Sequence, residues 1–439
     1  MVGNKQIRTF HISTYGCQMN FADSSTLSSI MTARGYKHVQ NEIDADLLIF
    51  NTCSVRDKAE RRVIGRLGEI KRFKRNKPQQ KVAVVGCMAQ RLGKEFLKVA
   101  PNVNYVLGPD RLFELPDVIE NVEGASSIMT TFGYENMDAI VPSKETPFSA
   151  FVTISRGCNN RCAYCIVPYV RGNERAHSAD QIVKNVRSLV SEGVIEITLL
   201  GQNVNSYKHS NTDFPMLLDR LINETDIHRL RFMTSHPKDL SERLIEIIAQ
   251  QPRIMPHIHL PLQSGANRVL KMMGRGYTIE HYLKIIESLR RSLDYVAITT
   301  DLIVGFPTET EREFEQTLDA VRQIRYDMAF MFRYSVRPGT LAAGYEDDVQ
   351  EEEKIRRLKK LIALQQQIGY EQNQREVNQT RHCLIEGTSR RDIDVLRART
   401  EGNKTVLFEA ESVGPGDIVP IQITSADAYT LHGRIEVSL

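Results

Sequence analysis

The sequence predicts an α/β protein in three parts: an N-terminal domain built on a parallel sheet, a central partial (β/α)6 barrel, and a small antiparallel β-barrel of the oligonucleotide-binding kind. Apolar strand-like runs alternate with helical patterns over the first 125 or so residues, as in a parallel sheet flanked by helices. From residue 148 six further strand-like runs follow, too few for a complete eight-unit barrel. Five short β-rich runs, separated by Gly, Asn, Asp and Pro turns, end the sequence.

The composition is that of a soluble globular protein, with 439 residues, 41% of them hydrophobic and 25% charged. At roughly 100 to 200 residues per domain, this length predicts two to four domains. The sequence contains no apolar run long enough for a membrane span and no secretory h-region, so we expect a cytosolic protein. Seven cysteines, an odd number, argue against a disulfide framework and favour metal or redox chemistry in a reducing compartment.

The N-terminal part contains three predicted strands, IRTFHIS, ADLLIFNT and KVAVVG. Its predicted helices are Asp23 to Arg34 and a basic helix from Val55 to Arg75. The sequence from Val122 to Pro147 is polar and irregular, which predicts a linker. We therefore expect domains at 1–125, 148–376 and 377–439, with the linker at 126–147.

The second part contains six predicted strands, SAFVTIS, IEITLL, RLRFMT, HIHLPL, YVAITTDLIVG and MAFMFRYS. The helices predicted between and after them are Asp180 to Glu192, Leu240 to Gln250, Ile279 to Arg291, Glu311 to Arg325 and a charged amphipathic helix from Gln350 to Glu376. In the last part the predicted strands are HCLIEG, DVLRAR, KTVLFEA, DIVPIQI and YTLHGRIEV. Cys383 stands alone in this region, where we expect it to be a packing residue.

A C-x3-C-x2-C motif, SRGCNNRCAYC, follows the first strand of the second part. Its three thiolates, from Cys158, Cys162 and Cys165, can hold three irons of a [4Fe–4S] cluster and leave the fourth open to a ligand. Zinc is the competing interpretation, but structural zinc usually takes four ligands and no fourth Cys or His lies close in sequence. Three unrelated core cysteines are disfavoured because the loop is polar and lies where barrel enzymes build their sites.

This motif, with an aromatic residue before its last cysteine, resembles that of the radical S-adenosylmethionine superfamily. The resemblance implies that S-adenosylmethionine binds the open iron and is cleaved to a 5′-deoxyadenosyl radical. It also implies contacts with the adenosyl group from residues at strand ends, namely Tyr164, Gln202, Asn203, Gln263 and Ile303. For each residue taken singly, an ordinary turn is the alternative interpretation.

Cys17, Cys53 and Cys87 are too far apart in sequence to form a local metal motif, yet each follows a predicted strand by one or two residues. Carboxyl ends of parallel strands share one edge of a sheet, so these three cysteines are predicted to converge in one crevice. Three small hydrophobic residues at the rim of a core are the alternative.

The longer segments YGCQMNFADS, NTCSVRDKAE, VVGCMAQR, SRGCNNRCAYCIVPYVRG, TSHPKDL, HLPLQSG, GRGYT and YSVRPGT resemble those of the methylthiotransferases, over essentially the whole chain. Gln18 and Met19 favour the branch that modifies prenylated adenosine 37 beside the tRNA anticodon over the branch that modifies a ribosomal protein. The segment RGNERAHS departs from the family pattern, which puts a carried-over role for Arg175 in doubt.

The resemblance implies two [4Fe–4S] clusters, one on each set of cysteines, and two molecules of S-adenosylmethionine. One would methylate a sulfur on the cluster of Cys17, Cys53 and Cys87, and the other would supply the radical that acts on C2 of adenine. It implies a C-terminal TRAM domain, a tRNA anticodon stem-loop as partner, an electron donor such as flavodoxin, a protein that supplies sulfur or clusters, and a monomer. The alternatives are a sibling acting on threonylcarbamoyl-adenosine or on a ribosomal-protein aspartate, and a non-catalytic RNA-binding protein with structural metal.

RNA contacts depend on local basic patches, since the net charge is only +3. Residues 61–77 carry eight basic residues and one acidic residue, which suits a phosphate backbone, although a solvated helix face is the alternative. In the last domain the candidate RNA-binding residues are Arg390, Arg391, Arg397, Arg399 and Lys404. His257 and His259 alternate on a strand, where a hydrogen-bonding role is favoured over metal binding.

Overall fold

The computed structural model describes residues 7–54, 57–73, 77–121, 127–133 and 143–436. The N-terminal domain is a six-stranded, fully parallel sheet in the order β2-β1-β3-β4-β5-β6. Its strands are β1 (Thr9–Tyr15), β2 (Lys37–His38), β3 (Leu47–Thr52), β4 (Lys81–Gly86), β5 (Tyr105–Leu107) and β6 (Ser127–Met129). Its helices are α1 (Gln18–Ala33), α2 (Asp57–Phe73), α3 (Cys87–Leu92), α4 (Glu95–Val99) and α5 (Leu115–Asn121).

The central strands β3 and β4 are buried on both faces, because helices cover both sides of the sheet. The parallel sheet is confirmed, with two corrections. The first helix begins at Gln18, five residues before the predicted start, and its buried residues include the polar Asn20, Asp23, Ser24 and Thr26, which obscure the apolar pattern of the helix. The predicted ends of the basic helix, Val55 and Arg75, lie outside the described residues.

The segment from Val122 to Pro147 is predicted to be an irregular linker, but the structure places two strands in it. Ser127–Met129 adds the sixth strand to the N-terminal sheet, and β7 (Ser143–Thr146) pairs antiparallel with the first barrel strand. Both strands are short, with three and four residues, so no hydrophobic periodicity marks them. The rest of the segment between them is described only at 130–133.

The central domain is an open barrel of six parallel strands that follow one another in chain order, as predicted. Its strands are β8 (Ser149–Thr153), β11 (Glu196–Leu200), β14 (Arg229–Phe232), β15 (His257–His259), β16 (Ala297–Val304) and β17 (Met328–Arg333), with minor strands β9 (Ser155–Arg156), β10 (Arg175–Ala176), β12 (Lys208–His209) and β13 (Thr212–Asp213). Its helices are α6 (Val167–Arg171), α7 (Ala179–Ser191), α8 (Phe214–Glu224), α9 (Glu242–Gln250), α10 (Asn267–Met272), α11 (Ile279–Ser292), α12 (Glu311–Ile324) and α13 (Glu351–Gln374). Helix α8 has no counterpart among the predicted helices.

Alternate residues of the barrel strands face opposite sides, which defines the inner face. Val152 and Leu199 belong to the large core between strands and outer helices. Their neighbours Phe151 and Leu200 therefore face inward, where they pack against Met19 of helix α1. The N-terminal domain thus covers part of the inner face of the barrel.

The C-terminal domain is a closed five-stranded barrel in the order β18-β19-β20-β22-β21, and all five predicted strands are present. The strands are β18 (Thr380–Thr388), β19 (Leu396–Arg399), β20 (Thr405–Phe408), β21 (Ile418–Ala426) and β22 (Thr430–Ile435). One of the five pairings, between β20 and β22, is parallel. Cys383 is fully buried in its core, as expected of a packing residue.

Candidate functional site

The three N-terminal cysteines lie at one edge of the sheet. Strands β1, β3 and β4 are neighbours, and Tyr15, Thr52 and Gly86 stand opposite one another at their carboxyl ends. Cys17 follows its strand by two residues, and Cys53 and Cys87 each follow theirs by one. The predicted convergence of the three strand ends is therefore confirmed.

The thiols of this set interact with one another. A side-chain hydrogen bond with Cys53 is the main cause that lowers the pKa of Cys17 to about 6, against the opposing effect of burial. Burial raises the pKa of Cys87, while the charge of Arg171 and a hydrogen bond from it act in the opposite direction. The charge of Cys17 also raises the pKa of Cys87, so each of the three thiols interacts with another thiol of the set.

Two buried asparagines fix the loops that carry these cysteines. Asn20 Nδ2 donates to Asn51 Oδ1 at 2.9 Å, and Asn51 Nδ2 donates to the Asn20 carbonyl at 2.8 Å. At Gly86, whose φ is +92°, an added Cβ would lie 2.6 Å from Asn51 Oδ1. The turn before Cys87 therefore requires glycine, and the asparagine pair ties the first cysteine loop to the second.

The second set of cysteines occupies one loop after strand β9. Gly157 has a φ of +80° and an added Cβ would lie 2.1 Å from the Asn173 carbonyl oxygen, so only glycine fits before Cys158. The loop is fastened by backbone hydrogen bonds from Ala163 N to Met273 O at 2.8 Å and from Ala342 N to Ala163 O at 2.7 Å. The sequence alone did not predict that Met273 and Ala342 would bind this loop.

A buried arginine from the GRGYT segment supports this loop. Arg275 Nη1 donates to Cys162 Sγ at 3.2 Å, while its Nη2 donates to the Pro261 carbonyl and its Nε to the Tyr277 hydroxyl. Burial raises the pKa of Cys158, and it raises that of Cys165 to about 12. Such thiols become thiolates when a cation, such as the iron of a cluster, replaces the proton.

Helix α6 connects the two sets of cysteines. Cys165 precedes this helix by two residues, and Ile166 and Val170 pack against Cys87. At the end of the helix, Arg171 interacts with both Cys17 and Cys87. The segment that follows the second set thus forms a wall of the first.

Three buried charges join the two domains beside the first set. Asp23 Oδ1 accepts from Arg156 and Asp23 Oδ2 from Arg171, each at 2.9 Å, and all three residues are at most 3% exposed. Two guanidinium groups share one carboxylate, which leaves one net positive charge buried beside three thiols. Arg175, whose carried-over role was in doubt, holds Asp110 of the N-terminal domain through two hydrogen bonds of 2.8 Å.

This environment suits a buried anion. A [4Fe–4S] cluster on three thiolates is negatively charged, and buried charges in proteins are normally compensated. Arg156 Nη1 and Arg171 Nη1 are buried without a hydrogen-bond acceptor among the described residues. The residues present therefore fit an iron–sulfur cluster. Within the described ranges, no group of three His, Cys, Asp or Glu side chains has the arrangement of a single-ion metal site.

The candidate adenosyl-binding residues lie at the carboxyl ends of barrel strands. Gln263, at a φ of +72°, pairs with strand β16 through a hydrogen bond from Ile303 N to its carbonyl at 2.9 Å. Tyr164 and Ile303 pack on one hydrophobic cluster. The side-chain oxygens of Gln202, Asn203 and Gln263 are buried without a donor among the described residues. These three acceptors fit the amino and hydroxyl donors of an adenosyl ligand.

The histidines of strand β15 form hydrogen bonds, as favoured. His257 Nε2 and His259 Nδ1 lie 3.1 and 3.0 Å from Thr299 Oγ1. Burial lowers the pKa of His257 well below its usual range.

The candidate RNA-binding residues fall into two groups. Arg390 and Arg391 are exposed in the loop between β18 and β19. The other three have protein partners: Arg397 pairs with Glu386, Arg399 with Glu196 and Glu386, and Lys404 with Asp327 and Glu376. Glu196 is 1% exposed and also binds Arg229 and Arg231, so Arg399 lies in the interface between the two barrels.

The described part of basic helix α2 buries Val63, Leu67 and Ile70 and leaves Arg61 and Arg62 exposed. The sequence missed Asn20, Asn51, Asp23, Arg171 and Arg275 as site residues. Their only signal was that all five lie within the segments that resemble the methylthiotransferases. No helix in the described part of the chain is long and apolar enough to cross a membrane.

Three family models match consecutive parts of the chain: the uncharacterized protein family UPF0004 at residues 9–108, the radical SAM superfamily at 152–321 and the TRAM domain at 374–435. Among solved structures, the chain is similar to the radical S-adenosylmethionine methyltransferase TsrM from Kitasatospora setae, with a TM-score of 0.53 and 12% identity over 76% of this chain and 77% of that one. The cobalamin-dependent S-adenosylmethionine radical enzyme OxsB gives a TM-score of 0.53 and 13% identity, over 80% of this chain and 56% of that one. At such low sequence identities, these similarities support the fold alone. Fold, site and family models together define a radical S-adenosylmethionine enzyme with a TRAM domain.

Curated relatives specify the family further. The tRNA-2-methylthio-N(6)-dimethylallyladenosine synthase of Carboxydothermus hydrogenoformans is 44% identical over 97% of this chain and 99% of its own length. That of Parabacteroides distasonis is 45% identical over 97% of this chain and 95% of its own length. The chain belongs to the family of tRNA-2-methylthio-N(6)-dimethylallyladenosine synthases.

Proposed function

We propose that this chain adds a methylthio group to C2 of N6-prenylated adenosine at position 37 of tRNA, using two molecules of S-adenosylmethionine. The observation that carries the proposal is the presence of two three-cysteine sets connected by helix α6, which follows Cys165 and packs against Cys87. A single iron–sulfur site would account for only one of them. Two tasks, sulfur donation and radical generation, require two.

In this proposal Cys158, Cys162 and Cys165 hold one [4Fe–4S] cluster and Cys17, Cys53 and Cys87 hold the other. When bound, the first cluster supplies the electron that cleaves S-adenosylmethionine to a radical, and the second carries the sulfur that is methylated and transferred.

The chain's own residues bind and shield the reactants. Tyr164 and Ile303 offer an apolar surface to the adenosyl group, and the unpartnered oxygens of Gln202, Asn203 and Gln263 accept from its polar groups. The contact of Met19 with the inward-facing Phe151 and Leu200 keeps water from the side of the barrel that faces the N-terminal domain.

tRNA is the partner that this function requires, and a single-stranded anticodon loop presents its bases with little unstacking cost. Arg390 and Arg391 are exposed and are the TRAM residues best placed to contact phosphates. Helix α2 offers Arg61 and Arg62 on its exposed side. An electron donor such as flavodoxin and a protein that supplies clusters or sulfur complete the reaction, and a monomer in the cytoplasm suffices for it.

The test compares prenylated and unprenylated tRNA as substrates for the reconstituted enzyme, with mass spectrometry of the nucleosides. The methylthio product is expected only from prenylated tRNA. Product on threonylcarbamoyl-adenosine, or on a ribosomal-protein aspartate offered in parallel, with none on prenylated tRNA, would contradict the proposal. A variant with Cys383→Ala serves as the cysteine control and should retain activity, because Cys383 lies in the TRAM core.

A further inference from the structure

Arg171 differs from the other arginines of the interface in facing the N-terminal thiols. Its guanidinium is 3% exposed and Nη2 donates to Asp23 Oδ2 at 2.9 Å. It directly follows Val170, which packs against Cys87, and its partner Asp23 belongs to the helix that begins after Cys17. Its Nη1 has no acceptor among the described residues.

The arginine comes from the opposite domain to the thiols that it faces. It is the last residue of α6, six residues after Cys165, whereas its partners Asp23, Cys17 and Cys87 all belong to the N-terminal domain. The N-terminal domain alone therefore supplies the thiols and a buried carboxylate, but it does not supply the positive charge. The site is electrostatically complete only with the radical domain in place.

A comparison with Arg156 distinguishes a general role of the interface arginines from a specific interaction of Arg171 with sulfur. It binds the same carboxylate, through Asp23 Oδ1 at 2.9 Å, and it is equally buried at 2% exposure. Its Nη2 also donates to the Pro109 carbonyl, and its guanidinium lies over the ring of Phe113. The two arginines thus share the ion pair, but Arg171 ends the helix that packs against Cys87, whereas Arg156 lies on strand β9.

We propose that Arg171 is a positioning residue of the N-terminal cluster: its guanidinium donates hydrogen bonds to sulfur there and makes the cluster easier to reduce. The inference rests on the proposed function, since it requires a cluster on Cys17, Cys53 and Cys87. Hydrogen bonds to cluster sulfurs and nearby positive charge both stabilise the reduced, more negative cluster and raise its reduction potential. A neutral side chain at this position should lower that potential.

The experiment isolates the N-terminal cluster in full-length protein that carries Cys158→Ala, Cys162→Ala and Cys165→Ala. Redox titration followed by electron paramagnetic resonance then gives its midpoint potential. In this background Arg171→Gln should shift the midpoint to a more negative value, Arg171→Lys should restore part of the shift, and Arg156→Gln should leave it near the parent value. Thermal melting of each variant reports on folding separately.

The outcomes distinguish this inference from the proposed function. If the background protein binds no iron, the proposed two-cluster function is overturned and this inference with it. If it binds a cluster whose potential is the same with Arg171→Gln as with Arg171, only the inference is overturned. An equal shift with Arg156→Gln would also overturn it, because the effect would then come from the shared ion pair. Loss of the cluster in Arg171→Gln, with retention in Arg156→Gln and a negative shift in Arg171→Lys, would support it.

Discussion

The two cysteine sets are built in opposite ways. Cys158, Cys162 and Cys165 lie within eight residues on one loop, so local sequence places them together. Cys17, Cys53 and Cys87 meet only because β1, β3 and β4 are adjacent in a parallel sheet, and their charge is completed by Arg171 of another domain. The second set is therefore a local sequence motif, whereas the first set is a product of the fold.

A buried arginine supports each set, Arg275 the second and Arg171 the first, and these two arginines differ as well. Arg275 has an acceptor for Nε, Nη1 and Nη2, including Cys162 Sγ. Arg171 has a buried Nη1 that lacks one. The loop of the second set is thus fully supported by the protein, whereas the first set retains a donor for a further group. This difference teaches that the N-terminal set depends on the domain interface more than the radical set does.

The largest effect is expected from Cys158→Ala, which removes a ligand of the radical set. Formation of 5′-deoxyadenosine from S-adenosylmethionine should fall to the detection limit, because the cluster that supplies the electron is lost. Chromatography of the reduced reaction measures it. Cleavage at the parental rate would show that this cysteine is not a ligand, and Cys383→Ala is the matched control.

Cys53→Ala should separate the two tasks. Because the loop of Cys158 does not depend on Cys53, cleavage of S-adenosylmethionine should continue while the methylthio nucleoside disappears. Iron should fall from about eight to about four per chain, since each cubane holds four. Continued accumulation of methylthio product would refute the role of the N-terminal set.

The domain interface should make stability depend on pH through Asp110. Burial raises the pKa of this carboxyl, but hydrogen bonds from Arg175 and Gly133 outweigh it, and the net pKa is lowered. The stabilisation is therefore present above the usual pKa of an aspartate and is lost as the pH falls below it. Because Arg175 is partly exposed, we expect Asp110→Asn to cost about 1–3 kcal/mol at neutral pH.

Urea unfolding of the cluster-free chain between pH 7 and pH 3 measures this contribution. The exposed pair of Asp117 with Arg34 gives the control, because Asp117→Asn should cost less than about 1 kcal/mol. Equal losses of unfolding free energy in the two variants would show that the interface pair stabilises the protein no more than the exposed pair does.

The smallest effect concerns the region farthest in sequence from both sets. Arg390→Glu with Arg391→Glu should weaken tRNA binding, and each lost phosphate contact should lower the salt dependence of log K by about one unit. Fluorescence anisotropy at several salt concentrations measures both. Arg312→Glu with Arg322→Glu on exposed positions of α12 is the charge-matched control. Equal weakening by the two pairs would remove this TRAM loop from recognition.

Much of the fold could be predicted because its signals are local. The parallel sheet, the six barrel strands and the five TRAM strands all carry strong apolar runs. The strand Ser127–Met129 was missed because a strand of only three residues at a sheet edge shows no hydrophobic periodicity. Helix α1 was started late because Asn20 and Asp23 are buried by partners distant in sequence.

The same reason limits prediction of the site. Cysteine spacing indicated one set, and equivalent positions after strands indicated the other. Asn51, Arg171 and Arg275 act through contacts 31 or more residues away, such as Asn51 with Asn20 and Arg275 with Cys162. Arg399 and Lys404 were expected at the surface, but an isolated sequence does not show that Glu196 and Asp327 lie next to them.

The central claim is that one chain holds two clusters, and metal analysis of three proteins tests it most directly. Iron and acid-labile sulfide are measured in the anaerobically reconstituted parent and in variants lacking either Cys17, Cys53 and Cys87 or Cys158, Cys162 and Cys165. We predict about eight irons in the parent and about four in each variant, with matching sulfide. Four irons in the parent, or stoichiometric zinc without sulfide, would contradict the account.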